Sequence, residues 1–244
     1  MEPSLPPVDM CKRQAEWLAP ARATVLRRAS VARRQRVLEI GAGSGAVSDE
    51  LARRCAGFVA ALDRSSAAIA QIASKRPNLY RLCGLAERLP FADRSFDLVF
   101  FQLALMWMDA TLAIAEAVRV LAPGGALVAI EPDYGGMIEH PPAIESRELW
   151  ISGLRRANAD PFIGRKLPAL LESHGLHPRM DLFSELRPAA PERLDLLEGL
   201  PLTAQERDEL ARIRCADAGA TGQGESVLAY LPFLLVTATR VHDC

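Results

Sequence analysis

The chain has 244 residues, half of them hydrophobic and 24% charged, a balance that suits one α/β domain with a sizeable core. Its 29 basic residues are offset by 30 acidic ones for a net charge of −1, so no excess of basic surface points to a nucleic-acid partner. Five cysteines (Cys11, Cys55, Cys83, Cys215, Cys244) make no C-x-x-C pair, so neither a disulfide framework nor a metal site is expected. The N-terminus shows no basic stretch followed by an apolar core, and no apolar run is long enough for a bilayer. The expectation is a cytoplasmic protein with no membrane partner.

Residues 1–9 are proline-rich and read as an extended or disordered arm. Trp17, Leu18, Ala21, Val25 and Leu26 recur at helical spacing, predicting one or two helices over Met10–Ala32, beside the fold or over its cleft, with Pro20 as a blemish. Val37, Leu38 and Ile40 form a buried strand that stops at Gly41, Gly43 and Gly45, and Ser44 is placed to cap a helix through Val47, Leu51 and Cys55. A strand, a glycine turn and a helix in this order open a nucleotide-binding α/β unit, whose free N–H groups face a polar ligand. A second strand, Phe58–Asp63, ends in an acid, and Ser65 and Ser66 start a helix through Ile69, Ile72 and Ala73. Asp63 follows Gly43 at the offset where a carboxylate meets a ribose diol.

Further strands are expected at Leu79–Cys83, Phe96–Phe101 and Ala126–Ile130, with a helix over Asp109–Leu121 stopped by A-P-G-G. Strands and helices alternating at this density predict a parallel sheet with right-handed crossovers. Beyond Pro142, helices are expected over Ile144–Ala157, Ile163–His174 and Thr203–Ala218, and strands near Arg179–Leu186 and Tyr230–Val241 as an antiparallel edge pair. The domain reading is an arm with helices over 1–32, then a single domain over 33–244 with a helical insertion at about 191–220.

The turn Gly41–Ala46 alone fits the loose dinucleotide pattern G-x-G-x-x-A, which leaves an NAD-dependent oxidoreductase open. The later motifs decide against it. V-L-E-I-G-A-G-S-G, A-L-D, A-E-R-L-P-F, F-D-L-V-F and R-V-L-A-P-G-G, in this order, resemble the class I S-adenosylmethionine-dependent methyltransferases. Within that family they look most like the small-molecule branch that includes ubiquinone and menaquinone methyltransferases. The resemblance covers about Arg36 to Asp133. It implies a Rossmann-like fold: a mostly parallel seven-stranded sheet with an antiparallel edge strand and helices on both faces. It also implies S-adenosylmethionine as cofactor and a small-molecule acceptor.

The same resemblance assigns roles. Glu39, Gly41, Ala42 and Gly43 line the methionine end, and Asp63 accepts the ribose hydroxyls. Arg64 packs on the adenine, and Ala86 and Glu87 read its edge. Gln102 and Leu103 border the reactive methyl. Leu85 stands where the family often has an acid, and it cannot accept a hydrogen bond there. Trp107, Met106 and Met108 face either the substrate or the core.

Ligands of parallel sheets sit at the strands' carboxyl ends, so the acceptor side is sought after the fifth strand, where Glu131, Asp133, Tyr134, Glu139 and His140 cluster. His140 is the candidate catalytic residue, a base oriented by Glu139 or Asp133, and Tyr134 is the next candidate. Arg165 and Lys166 are candidates to meet an anionic substrate, or solvated bases at a helix start. A catalytically silent module that only binds the cofactor is the remaining alternative.

Overall fold

The continuous apolar runs of the sequence become the centre of a sheet, because parallel strands covered on both faces need apolar residues at every position. In the computed structural model residues 8–183, 191–222 and 226–240 are described. Most of the proline-rich arm lies outside them, although Val8 and Asp9 already belong to α1 (Val8–Trp17). Then follow α2 (Ala19–Arg28), β1 (Arg36–Ile40), α3 (Ser48–Arg54), β2 (Phe58–Asp63), α4 (Ser66–Ala70), β3 (Leu79–Cys83) and β4 (Phe96–Gln102). The chain continues through α5 (Ala110–Val120), β5 (Leu121–Pro132), β6 (Ile138–His140), α6 (Arg147–Arg156), α7 (Ile163–Glu172) and β7 (His177–Phe183). It closes with α8 (Asp195–Glu198), α9 (Ala204–Gly222), β8 (Leu228–Tyr230) and β9 (Phe233–Thr239).

The sheet order is β3-β2-β1-β4-β5-β9-β7, and β3, β2, β1, β4 and β5 run parallel. The antiparallel strand expected at the edge stands one place in: β9 runs against both β5 and β7, so β7 forms the edge. Alternate residues of each strand feed two cores. Leu38, Ile40, Leu62, Val99 and Phe101 face one cluster with α5, α6 and α7. Val37, Val59, Leu98, Phe100 and Ile130 face the other, with residues of α1 to α4. Glu39 shares the parity of Val37, and Glu131 that of Ala129, so the two buried acids stand on opposite faces of the sheet.

Local chemistry explains several boundaries. Pro20 sits in the first turn of α2, where its missing N–H is no loss. Asp109 caps α5 by accepting from the N–H of Leu112 at 3.1 Å. Thr203 and Glu206 cap α9 reciprocally, Glu206 Oε2 taking the Thr203 N–H at 2.7 Å while Thr203 Oγ1 takes the Glu206 N–H at 3.3 Å.

Other expectations are corrected. The helix after the glycine turn starts at Ser48, not at Ser44, because left-handed Gly45 (φ +79°) prolongs the turn; the Ser44 hydroxyl is buried and caps nothing. Ser65 does cap α4, but that helix ends at Ala70, and Ile72 turns back to pack on Gly45. The strand expected over Tyr230–Val241 is broken around Pro232, which has no N–H to give a ladder. Its first residue, Tyr230, belongs instead to β8, which pairs with β6 in a separate two-stranded ribbon that the sequence did not suggest. Residues 184–186 and 241 of the two expected late strands lie outside the described residues. Among the described residues no helix is long and apolar enough to cross a membrane.

Candidate active site

Three glycines shape the turn after β1, each with positive φ: Gly41 at +77°, Gly43 at +52° and Gly45 at +79°. The N–H groups of Gly41 and Ala42 both donate to Leu62 O, at 2.9 and 3.0 Å, and lay the turn across the end of β2. A Cβ on Gly41 would stand 2.4 Å from Ala104 Cβ, and one on Gly45 2.8 Å from Ile72 Cγ2; one on Gly43 would meet nothing within 4 Å. Gly41 and Gly45 therefore serve packing, whereas Gly43 opens onto free space where a ligand can approach the backbone. Gly41→Ala is expected to lower the thermal midpoint by about 5–10 °C, combining left-handed strain with displacement of the Ala104 turn. Gly43→Ala carries only the strain and should lose ligand affinity instead. Thermal unfolding and calorimetry on both variants check this contrast.

Two acids flank that opening. Asp63 accepts from the N–H of Gly43 through Oδ2 at 2.8 Å and from the N–H of Ser65 through Oδ1 at 2.9 Å. Each of its oxygens retains a lone pair for a further donor. Glu39 is almost fully buried and takes the hydroxyl of Ser48 on Oε2. Burial pushes its carboxyl up to about 7, against the opposing Ser48 hydrogen bond and the nearby Arg22 charge, while Asp63 adds to the rise.

The end of β4 closes the site. Gln102 is half-buried and accepts at Oε1 from Arg22 Nη1 at 3.2 Å. Leu103 adopts a left-handed φ of +54°, rare for a branched side chain and of the kind found at binding sites. The N–H groups of Ala104 and Leu105 both donate to Glu131 Oε1 at 2.9 Å, and Ala104 in turn abuts Gly41. Ala86 is buried, Leu85 is exposed, and Glu87 accepts from the N–H of Asp109 at 3.1 Å, which ties the segment after β3 to the start of α5. Arg64 is exposed, with Nη1 3.5 Å from Trp107 O. Met106 is buried in the core, and Trp107 and Met108 pack against it half-buried.

Residues 38–129 match the methyltransferase domain family. An uncharacterized methyltransferase of Mycobacterium tuberculosis is 35% identical over 125 residues, 51% of this chain and 44% of that protein. A demethylmenaquinone methyltransferase of Beutenbergia cavernae is 40% identical over 98 residues, 40% of each chain. The chain thus spans less than half the length of these curated relatives. Among solved structures, the YcgJ protein of Bacillus subtilis has a TM-score of 0.67 at 18% identity, over 91% of this chain and 98% of that one. Residues 38–129 thus resemble a methyltransferase domain, and the fold around them is the Rossmann-like fold of the solved methyltransferase structures.

Glu39, Gly41, Ala42, Gly43, Asp63, Gln102 and Leu103 lie at the carboxyl ends of β1, β2 and β4. The acceptor-side candidates are less united. His140 lies exposed on β6. Neither proposed partner orients it. Glu139 accepts from Ser146 N and Oγ, both at 2.7 Å, and from Arg147 N at 3.1 Å, and so caps α6. Asp133 is held by Arg165 Nε at 2.9 Å and Nη2 at 2.8 Å. Arg165 is thereby committed within the chain, and Lys166 pairs with Asp160 at 2.6 Å. Tyr134 is buried against Trp150, at 5.1 Å between ring centroids. Burial, and then the charge of Glu131, push its phenol well above the ordinary value, so it remains a protonated donor.

Arg22 and Ser48 were not foreseen in the domain's site. Ser48 carries a faint signal, an α3 hydroxyl nine residues after Glu39. Arg22 carries none, because its bond to Gln102 spans 80 residues.

Proposed function

We propose that this chain transfers the methyl group of S-adenosylmethionine to a small-molecule acceptor. The observation that carries the reading is the open, left-handed Gly43 held by the carboxylate of Asp63, with the buried acid Glu39 on the strand that leads into the turn. Asp63 has lone pairs for the two ribose hydroxyls, and Glu39 supplies a counter-charge for the ammonium group. Ala86, Glu87 and Arg64 would border the adenine, and Gln102 and Leu103 the methionine. The cofactor, when bound, supplies a methyl already activated on a sulfonium, so the chain's task is to orient and to exclude water. Relatives named for demethylmenaquinone and for malonyl-[acyl-carrier protein] support a small or carrier-borne acceptor. The balanced net charge gives no basic surplus for a nucleic-acid acceptor.

Titration calorimetry with S-adenosylmethionine and S-adenosylhomocysteine is expected to show micromolar binding, and none with NAD or NADP. Dinucleotide binding without S-adenosylhomocysteine binding overturns the proposal.

Glu39 adds a pH dependence. Its carboxyl titrates at about 7 in the fold, and only the ionised form attracts an ammonium group. Affinity for S-adenosylhomocysteine is expected to fall as pH drops below 7, by up to about tenfold per pH unit, and Glu39→Gln should flatten that slope.

On the acceptor side His140 serves as a contact from the exposed ribbon, since neither acid orients it as a base. His140→Ala is expected to raise the acceptor KM and to leave S-adenosylhomocysteine affinity unchanged. An unaltered KM removes His140 from the site.

A further inference from the structure

The large sheet ends in an outer strand whose pattern matches a copy of itself. β7 pairs with β9 on its inner side, and no described strand lies on its outer side. An unpaired strand edge is a template for another chain. The direction of its backbone groups follows from β9. At one end of β9, Arg240 donates to Gly125 O and accepts from the N–H of Gly124; at the other, Pro232 O accepts from the N–H of Asp133. Even-numbered residues thus turn toward β5, and Leu235, Thr237 and Thr239 turn toward β7, where they face Asp181, Arg179 and His177. The backbone groups of Pro178, Met180 and Leu182 are left pointing out of the sheet. Pro178 has no N–H to give there, and the ladder to β9 loses nothing by it.

The side chains of this edge are apolar on one face and charged on the other. Met180 is 43% and Leu182 61% exposed, on the face they share with Val236 and Leu234. On the opposite face Arg179 is exposed and makes no ion pair with the described residues. Asp181 pairs with Arg28 and keeps 36% of its side chain in solvent. Arginine and aspartate therefore flank Met180 symmetrically, one on each side.

We propose that two copies of this chain associate by antiparallel pairing of β7 with β7, with the two-fold axis at Met180. Each Met180 then exchanges both of its outward bonds with the partner copy's methionine, and each Leu182 N–H meets the Pro178 carbonyl across the axis. Only the N–H that proline lacks is missing. In this register each Arg179 stands opposite an Asp181, and Met180 and Leu182 leave solvent on the other face. Shifting the axis by one residue would set Arg179 against Arg179, or Asp181 against Asp181, and like charges directly opposite oppose pairing. The charges thus select one closed, isologous dimer, in which the sheet runs on through both copies. The proposal is independent of what the active site does.

Sedimentation velocity on the full chain, from low to several hundred micromolar, is expected to show a monomer–dimer equilibrium. A single strand pair is a small interface, so the dissociation constant should be micromolar. Arg179→Asp and Asp181→Arg each set like charges opposite one another and should each be monomeric. An equimolar mixture of the two variants restores both opposite-charge pairs and should dimerise again. Circular dichroism confirms folding, since Asp181→Arg also removes the partner of Arg28. Should that variant not fold, cysteine cross-linking reads the register by itself. Met180→Cys places two thiols on the axis, with Cα atoms about 5.5 Å apart, and should give a disulfide-linked dimer on mild oxidation. Leu182→Cys separates them by about 13 Å and should give no more than the parent chain with its own five cysteines. A parent chain that stays monomeric overturns the proposal. So does a dimer that survives Arg179→Asp, a mixture that does not reassociate, or equal cross-linking at positions 180 and 182.

Discussion

Asp63→Ala is expected to weaken S-adenosylhomocysteine binding by about tenfold to a thousandfold. The carboxylate would offer two charge-assisted hydrogen bonds to a diol, each worth about 1.5–3 kcal/mol, and water replaces part of that loss. Asp63 has structural duties as well, since its oxygens hold the N–H groups of Gly43 and Ser65. Their loss should lower the thermal midpoint by a few degrees, at about 2–4 °C per kcal/mol for a chain of this size. Asp63→Asn separates the two effects. It keeps one acceptor oxygen and shape but removes the charge, so its midpoint should lie nearer the parent while its affinity still falls. Calorimetry paired with thermal unfolding reads both quantities. An unchanged dissociation constant in either variant removes Asp63 from the site.

The stretch from β1 to β5 was readable because its physics is local. Val37–Ile40, Phe58–Leu62 and Phe96–Phe101 are nearly continuous apolar runs, the pattern of strands buried on both faces. Asp109 and Ser65 are capping side chains whose partners lie three residues ahead. The carboxylates of the site, Glu39 and Asp63, were visible for the opposite reason, since a charge at the end of an apolar run requires a partner.

What failed to show depends on distant pairing. The ribbon joins Ile138–His140 to Leu228–Tyr230, three residues from each of two segments far apart in the chain, and neither segment has a period long enough to read. Glu139 was placed beside His140 by adjacency, yet on a strand neighbouring side chains point to opposite faces. Its carboxylate turns to α6 instead. Arg22 looked like one more arginine in a basic N-terminal stretch until the fold set it against Glu50 and Gln102.

Glu131→Gln should reverse its effect on stability between acid and mildly alkaline pH. Glu131 is fully buried; Oε1 accepts from Ala104 and Leu105, and Oε2 has no hydrogen-bond partner among the described residues. Burial raises its carboxyl from 4.5 to about 7, and the backbone N–H groups only moderate the rise. The native state thus holds this proton more tightly than the unfolded chain does. The resulting stability is fully present below about pH 4.5 and is lost as pH rises through 7. The gap corresponds to about 3 kcal/mol, at roughly 1.4 kcal/mol per tenfold change in proton affinity. Glutamine cannot ionise and escapes that loss, but it sets an unpaired NH2 where Oε2 was, at a cost of about 1–3 kcal/mol at every pH. Near pH 5 the variant should therefore be the less stable protein, and near pH 8 it should equal or exceed the parent. Glu39 titrates alike in both proteins and cancels from the comparison. Urea denaturation of ligand-free parent and variant at the two pH values gives the difference directly. A difference that stays constant across that range would mean that Glu131 is ionised throughout, and that the turn at Leu103–Leu105 hangs on a permanently charged carboxylate.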